Sequence, residues 1–303
     1  MKKTKSLFQK SRMGMSDVAF NVLVTAIATV VFLIILYPII FIISASFSSE
    51  TALSAGRVVL WPVDLNVDGY KLVFSNRDVW IGFGNSIFYV ICYVAQNMFY
   101  TLTVAYALSR KDFMPRHVIT LFLAVASWFS GGIIPTYIQY SKFNMINSRV
   151  GFILMASFGL GTVVIVRTYF QSSIPGELLE AAQMDGCSDI GYFLKIAIPL
   201  SKPIIAVQVL DYIVACWNSY VGPMIYLRKK ELKPLQLVLQ EILAATQVDA
   251  MSIMDPSLAE KMASVADVMK YAIIIVGSIP MIMIYPFVKK YFEKGVMIGS
   301  IKG

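Results

Sequence analysis

Histidine is nearly missing from this 303-residue chain, which has only His117. Imidazole-built metal sites and histidine acid–base pairs therefore lack parts. His117 stands beside Arg116 at the end of an apolar run and reads as an interfacial side chain. Cysteine is equally thin: Cys92, Cys187 and Cys216 are too few and too scattered for a disulfide framework or a metal site. Cys92 and Cys216 fall inside apolar runs, as small packing residues do. No G-x-x-x-x-G-K-[ST] loop is present, so the chain itself is expected neither to bind nor to hydrolyse ATP. No nucleophile, base and metal come together in sequence, which argues against an enzyme. A repeat of fixed period and a low-complexity linker are absent too, and one domain is the simplest reading.

Charge is also scarce, at 15% of residues against 57% apolar. Several apolar runs exceed the roughly 20 residues that carry an α-helix across the hydrocarbon core. Hydrocarbon supplies no water to the backbone, so spanning segments are helices or a closed barrel, and continuous rather than alternating apolar runs exclude the barrel. The fold class is therefore all-α, a polytopic membrane protein. The net charge of +8 would suggest nucleic acid in a soluble chain. Here the basic residues collect at the ends of apolar runs, a membrane pattern rather than a phosphate-binding patch.

Six spans follow in order: Phe20 to Phe47, Phe83 to Leu108, Val118 to Tyr140, Val150 to Phe170, Ile204 to Leu227 and Ala266 to Val288. Pro38 marks a kink in the first, and Gly131-Gly132 with Pro135 interrupt the third. Lys2, Lys3, Lys5, Lys10 and Arg12 place the start in the cytoplasm; Ser109-Arg110-Lys111 with Arg116, and Lys289, Lys290 and Lys294, place the first inner turn and the tail 289–303 there as well. The basic start runs into a span too long for a cleavable signal. Segments 48–79 and 228–265 then lie outside. The second departs from the charge bias, since Arg228, Lys229, Lys230 and Lys233 face outward. An acidic oligosaccharide, lipid headgroups or a protein partner would each account for that cluster. The glycine pairs Gly82/Gly84 and Gly159/Gly161 suit close helix packing.

Asp211 is a carboxylate inside an apolar span, a position that by default marks a pathway or a paired helix contact; Arg167 or a partner's cation could neutralise it. Along the same span, Trp217, Asn218 and Tyr220 set aromatic faces beside hydrogen-bonding groups. That combination suits a sugar, and it suits an interfacial aromatic belt equally.

The stretch 171–203 is polar and short between two long apolar runs. Ser173 can cap a helix whose first turn holds Pro175 and whose positive end faces Glu177 and Glu180. Asp185-Gly186 closes it through a left-handed glycine, Ser188 or Asp189 caps a second helix, and Pro199 ends that one. Leu178, Leu179, Ala181, Ala182 and Met184 offer a shallow apolar face. Such an elbow can dock into a cleft of a partner protein or lie on lipid headgroups.

Glu180-Ala181-Ala182, Asp185-Gly186 and Ile198-Pro199 resemble the "EAA" loop of membrane permease subunits of ABC importers, in the carbohydrate-uptake branch similar to the smaller maltose permease subunit. Within that branch it resembles the subgroup handling complex oligosaccharides such as alginate or pectin fragments. Ala107-Leu108-Ser109-Arg110, Ile134-Pro135-Thr136-Tyr137 and the W-N-x-[FY] stretch at Trp217 with Pro223 fit the same family in the expected order.

The resemblance implies a type I importer permease in the bacterial cytoplasmic (inner) membrane, carrying an oligosaccharide. Its partners would be a second permease subunit, two cytoplasmic ATPase subunits that hold ATP and magnesium, an extracytoplasmic solute-binding protein, and membrane lipid. No cofactor is expected in this chain. It implies ATPase coupling through Glu177, Glu180, Ala181, Ala182, Asp185, Gly186 and Pro199. It also implies that the tail, through Gly295, Gly299, Lys302 and Gly303, enters the ATPase interface. Two alternatives stand beside it: an ion-coupled carrier, favoured by Asp211 and the broken third span but opposed by the missing repeat, and a membrane scaffold without transport activity.

Overall fold

A computed structural model describes residues 15–129, 131–155, 159–252 and 266–286, and among them every regular element is a helix. α1 is Met15–Ser46, followed by the short α2 (Glu50–Ser54) and α3 (Asp68–Ser75) in the segment between the first two spans. α4 (Arg77–Ser109) starts where the Asn76 side chain accepts a hydrogen bond from Asp78 N–H at 2.9 Å. Its 33 residues make a rod of about 50 Å. It is the axis of the fold, with α8, α12 and α14 packed along it.

α5 (Arg116–Trp128) and α6 (Ile133–Lys142) meet at 113°. The bend falls at Gly131-Gly132, where Gly132 takes a φ of +79° that favours glycine. Pro135 sits in the first turn of α6, where no N–H is needed, so it does not interrupt that helix. α7 (Arg149–Leu154) and α8 (Leu160–Ser173) follow. The elbow is α9 (Gly176–Met184), α10 (Asp189–Tyr192), a π turn over Phe193–Ala197, and α11 (Ile198–Leu200). α12 (Lys202–Trp217), α13 (Val221–Tyr226), α14 (Leu235–Ser252) and α15 (Ala266–Pro286) complete the chain.

Among the described residues three helices are long and apolar enough to cross a bilayer alone: residues Ala19–Ser46 of α1, α4 and α15. The continuous fourth and fifth spans read from sequence are not continuous. α8 has 14 residues and α12 has 16, about 21 and 24 Å, each short of a hydrocarbon core of about 30 Å. The fifth breaks at Asn218–Tyr220, where the helix C-caps at Asn218 before α13 begins. Leu235, Leu237, Val238 and Leu239 at the start of α14 are buried, and Leu235, Val238 and Leu239 share a core with Val73, Val79, Trp217, Ala272 and Val276. An added Cβ on Gly82 would lie 3.1 Å from the Cα of Leu235, so glycine lets this segment lie against α4. Gly84 and Gly161 meet nothing within 4 Å, and only Gly82 among those four pays its way by packing.

Two further cores exist. One joins Ala105 and Leu108 of α4 with Val163, Val166 and Phe170 of α8 and with the elbow. The other, Ala45, Ala52 and Val58, fixes only the C-terminal end of α1; the stretch from Phe20 to Ile35 is exposed. Pro38 lies inside α1, which continues past it to Ser46.

Candidate functional site

Local chemistry builds the elbow almost residue by residue. α8 runs on through Ser173, so Ser173 does not cap α9; Pro175 stands at that N-cap instead, with no side-chain bond. α9 then closes in a full Schellman arrangement. Gly186 N–H donates to Gln183 O at 3.0 Å and Cys187 N–H donates to Ala182 O at 2.9 Å, with Gly186 at φ +74°. Ser188 caps α10 by accepting from Gly191 N–H at 3.1 Å. In the π turn, Ile198 N–H reaches Phe193 O, five residues back. The wider step precedes Pro199, which cannot donate to Lys195 and so disturbs the normal ladder there. The chain bends by 80° between residues 189–200 and α12, at Ser201, flanked by Pro199 and Pro203.

One face of this elbow is anchored and the other is open. Ala182, Tyr192 and Ala197 are buried in the core shared with α4 and α8, and Leu179 packs against it. Glu177, Glu180, Ala181, Asp185, Gly186 and Pro199 are exposed, and Met184 is 90% exposed. The shallow apolar face read from sequence is therefore divided: Ala182 and Leu179 turn inward, while Leu178, Ala181 and Met184 face out.

Tyr106 and Arg110, one turn apart at the end of α4, form the joint. The Tyr106 ring lies 4.7 Å from that of Phe193 and 6.0 Å from Phe170, edge-on to the latter. Arg110 reaches Asp112 through two bonds of 2.8 and 2.6 Å and Asp189 at 3.1 Å. Its guanidinium bond holds the Asp112 carboxyl below the usual carboxylate range, and the same bond raises Arg110. Gln171 donates to Ser109 O at 3.4 Å. Neither Tyr106 nor this role of Arg110 emerged from the sequence, although the i, i+4 spacing of a tyrosine and an arginine at a helix end was a usable signal.

Beneath the joint opens a cavity of about 750 Å³ between the α4–α5 turn, the end of α8 and α9. Arg110, Lys111, Arg116 and Arg167 line it, against Asp112 and Glu180. His117 is there too and accepts from Arg116 Nε at 3.2 Å.

The other sequence candidates lie elsewhere. Asp211 is exposed on α12 and makes no ion pair among the described residues; Arg167 does not pair with it but opens into the cavity under the elbow. Trp217 is buried, donating its indole N–H to Gly277 O at 2.9 Å and meeting Phe83 edge-on. Asn218 and Tyr220 are exposed, and Asn218 helps line a second cavity of about 400 Å³ with Gln236, Gln240 and Ser278. Gly295, Gly299, Lys302 and Gly303 lie outside the described residues. Among the described residues no group of histidine, cysteine or carboxylate side chains could hold a metal.

No family model matches the chain. Individual proteins do. The chain is 34% identical over 275 residues to Protein LplC of Bacillus subtilis (strain 168), covering 89% of this chain and 90% of that one. It is 32% identical over 292 residues to the polygalacturonan/rhamnogalacturonan transport system permease protein YtcP of the same organism, covering 95% and 100%. In the crystal structure of a bacterial ABC transporter involved in the import of the acidic polysaccharide alginate, one chain superposes with a TM-score of 0.81 at 32% identity. That match covers 92% of this chain and 99% of the other.

Proposed function

The chain belongs to the membrane permease subunits of carbohydrate-importing ABC transporters, and from that premise we propose that it forms one half of the pore of an acidic-oligosaccharide importer. Three single helices (α1, α4 and α15) and three pairs (α5 with α6, α7 with α8, α12 with α13) make up six crossings. Both termini lie in the cytoplasm, and the membrane is the bacterial inner membrane. A second permease covers the exposed flank of α1 together with lipid. Two ATPase subunits, which bind ATP and magnesium, dock on the open face of the elbow, and the tail residues Gly295, Gly299, Lys302 and Gly303 enter their interface. A solute-binding protein delivers the sugar to segments 48–79 and 228–265.

The observation that carries this reading is the two-faced elbow. Ala182, Tyr192 and Ala197 share a core with α4 and α8, so a push on Leu178, Ala181 or Met184 is passed to two membrane helices rather than absorbed in a loop. Asp211, Asn218 and Tyr220, all exposed, belong to the surface turned toward the second permease and the pathway. Trp217 supports them from behind through Gly277. The acidic class of cargo is favoured by the exposed cations Lys142, Arg149, Arg228, Lys229 and Lys230 at the far end, and by the polygalacturonan/rhamnogalacturonan and alginate in the names of the relatives.

Gly186→Asp tests the coupling. An added Cβ there meets nothing within 4 Å, so the cost is the left-handed backbone, about 1–2 kcal/mol, and the chain should still insert and assemble. Uptake in reconstituted vesicles should collapse while ATP hydrolysis continues. Unchanged uptake would remove the elbow from the mechanism.

A further inference from the structure

The cavity under the elbow has more cation than the fold uses. Arg110 is committed to Asp112 and Asp189, and Arg116 donates to the carbonyl of Arg110 at 3.2 Å and to His117. Lys111 and Arg167 have no ion pair among the described residues. The Nε of Arg167 is buried without an acceptor. A buried charged donor left unmatched is costly, and a guanidinium fork is shaped for a group with several oxygens. Glu180, the one lining carboxylate that Arg110 does not take, is exposed and forms no ion pair among the described residues.

The position of the cavity identifies the source of those oxygens. It lies where the ends of α4 and α8 meet the starts of α5 and α9, and apolar surface gives way to charge. Directly after the lining residue His117, Val118, Leu121 and Phe122 share one face of α5 at i, i+3, i+4 spacing, and their side chains are 65–71% exposed. No residue of α5 is buried. A cationic mouth opening onto a bare apolar strip matches a molecule with a phosphate at one end and acyl chains at the other. Basic pockets between membrane helices on the cytoplasmic side take anionic lipid headgroups by the same chemistry. We propose that this cleft binds the phosphate of an anionic phospholipid of the cytoplasmic leaflet, with Arg167 and Lys111 as its ligands and the α5 strip as the track for its acyl chains. The cytoplasmic placement rests on the topology given above; the chemistry of the cleft does not.

The test is native mass spectrometry of the purified transporter, with this chain in its full complex, titrated with phosphatidylglycerol or phosphatidylcholine in detergent. Wild type should retain phosphatidylglycerol preferentially. Lys111→Gln, an exposed change that leaves packing alone, should weaken the lipid that distinguishes the two by roughly fivefold, the effect of one interfacial charge. Arg167→Gln should weaken it tenfold or more. A parallel arm measures thermal stabilisation by inorganic phosphate alone. Equal retention of both lipids, no change in the two variants, or stabilisation by inorganic phosphate without preference for the anionic lipid would each overturn the assignment. Retention is read without sugar or ATP, so this result stands or falls apart from transport.

Discussion

The two ends of α4 hold their neighbours by opposite means. At the far end it presents Asn85, Ser86 and Tyr89 to the backbone of residues 231–235. Asn85 Nδ2 donates to Glu231 O at 2.8 Å and Lys233 O at 3.0 Å, Tyr89 Oη donates to Leu232 O at 2.9 Å, and Leu235 N–H donates to Ser86 Oγ at 2.8 Å. Arg149 braces the set by donating to Asn85 Oδ1 at 2.9 Å. At the elbow end α4 presents Ala105, Tyr106, Leu108 and Arg110, and only Arg110 forms strong polar bonds. The difference follows from what is being held. Residues 231–235 hold the end of a one-turn 3-10 helix, two irregular residues and the first residue of α14, and so short a backbone beside a buried core must find partners outside itself. The elbow is helical, satisfies its own backbone, and needs only surfaces to lean on. A stitched segment is fixed in place, whereas a packed one can move as a body.

The hardest blow to that contrast is Tyr106→Ala. Removing a half-buried ring between Phe170 and Phe193 should cost about 3 kcal/mol, near the low end for aromatic truncation in a core. The elbow should then detach, so that ATPase subunits still co-purify while uptake falls to background. Tyr106→Phe keeps the ring and loses a hydroxyl that accepts from Arg110 at 3.3 Å and donates weakly to Asp189 O at 3.5 Å. It should stay within a few-fold of wild type, and a loss equal to that of the alanine variant would show that polar bonds hold this end after all.

Asn85→Ala is the matching cut at the far end. It strands the carbonyl of Lys233 and leaves Glu231 O and Arg149 with only their mutual bond of 3.2 Å, at about 2 kcal/mol of destabilisation for buried groups left unpaired. Thermal unfolding of the purified complex should shift downward. Hydrogen exchange should rise at residues 231–235 and stay unchanged in α9. A rise in both places would mean the two ends are not independent.

How much of this could be read from the chain depends on whether the signal was local. Gly186 and Ser188 each announce a cap within a few residues, so much of the elbow was legible, except that Ser173 was absorbed by α8 and that helical backbone runs through Pro199 to Leu200 instead of ending there. Gly131-Gly132 likewise marked the bend between α5 and α6. The break at Asn218–Tyr220 stayed hidden because apolar residues continue on both sides of it. The burial of α14 was hidden for another reason. Leu235 lies about 150 residues from the Ser86 that fixes it, and no period in the sequence connects them. Composition did foretell the all-helical membrane class, since span length and scarce charge belong to the chain as a whole. The trading of roles between Trp217, which turned inward, and Asn218 and Tyr220, which did not, depended on one helix ending where it does.

The mildest probe returns to Arg110, the strongest polar fastener at the elbow end among the described residues. Arg110→Gln removes both its bond to Asp112 and its reach to Asp189. Because those carboxylates are exposed, the expected loss is only about 0.5–1 kcal/mol. The same contact can be weakened without mutation. Asp112 has its folded pKa lowered by Arg110, so its contribution is present above the ordinary carboxylate pKa, near pH 4, and fades as pH falls through the lower folded value. Acid should therefore loosen the α4–α5 turn in wild type while leaving the Arg110→Gln variant, which has no such bond to lose, with a flatter response. Exchange rates at residues 110–116 measured from pH 6 downward would reveal it. If both proteins responded alike, packing alone would hold the elbow end, and the contrast with the stitched far end would be sharper still.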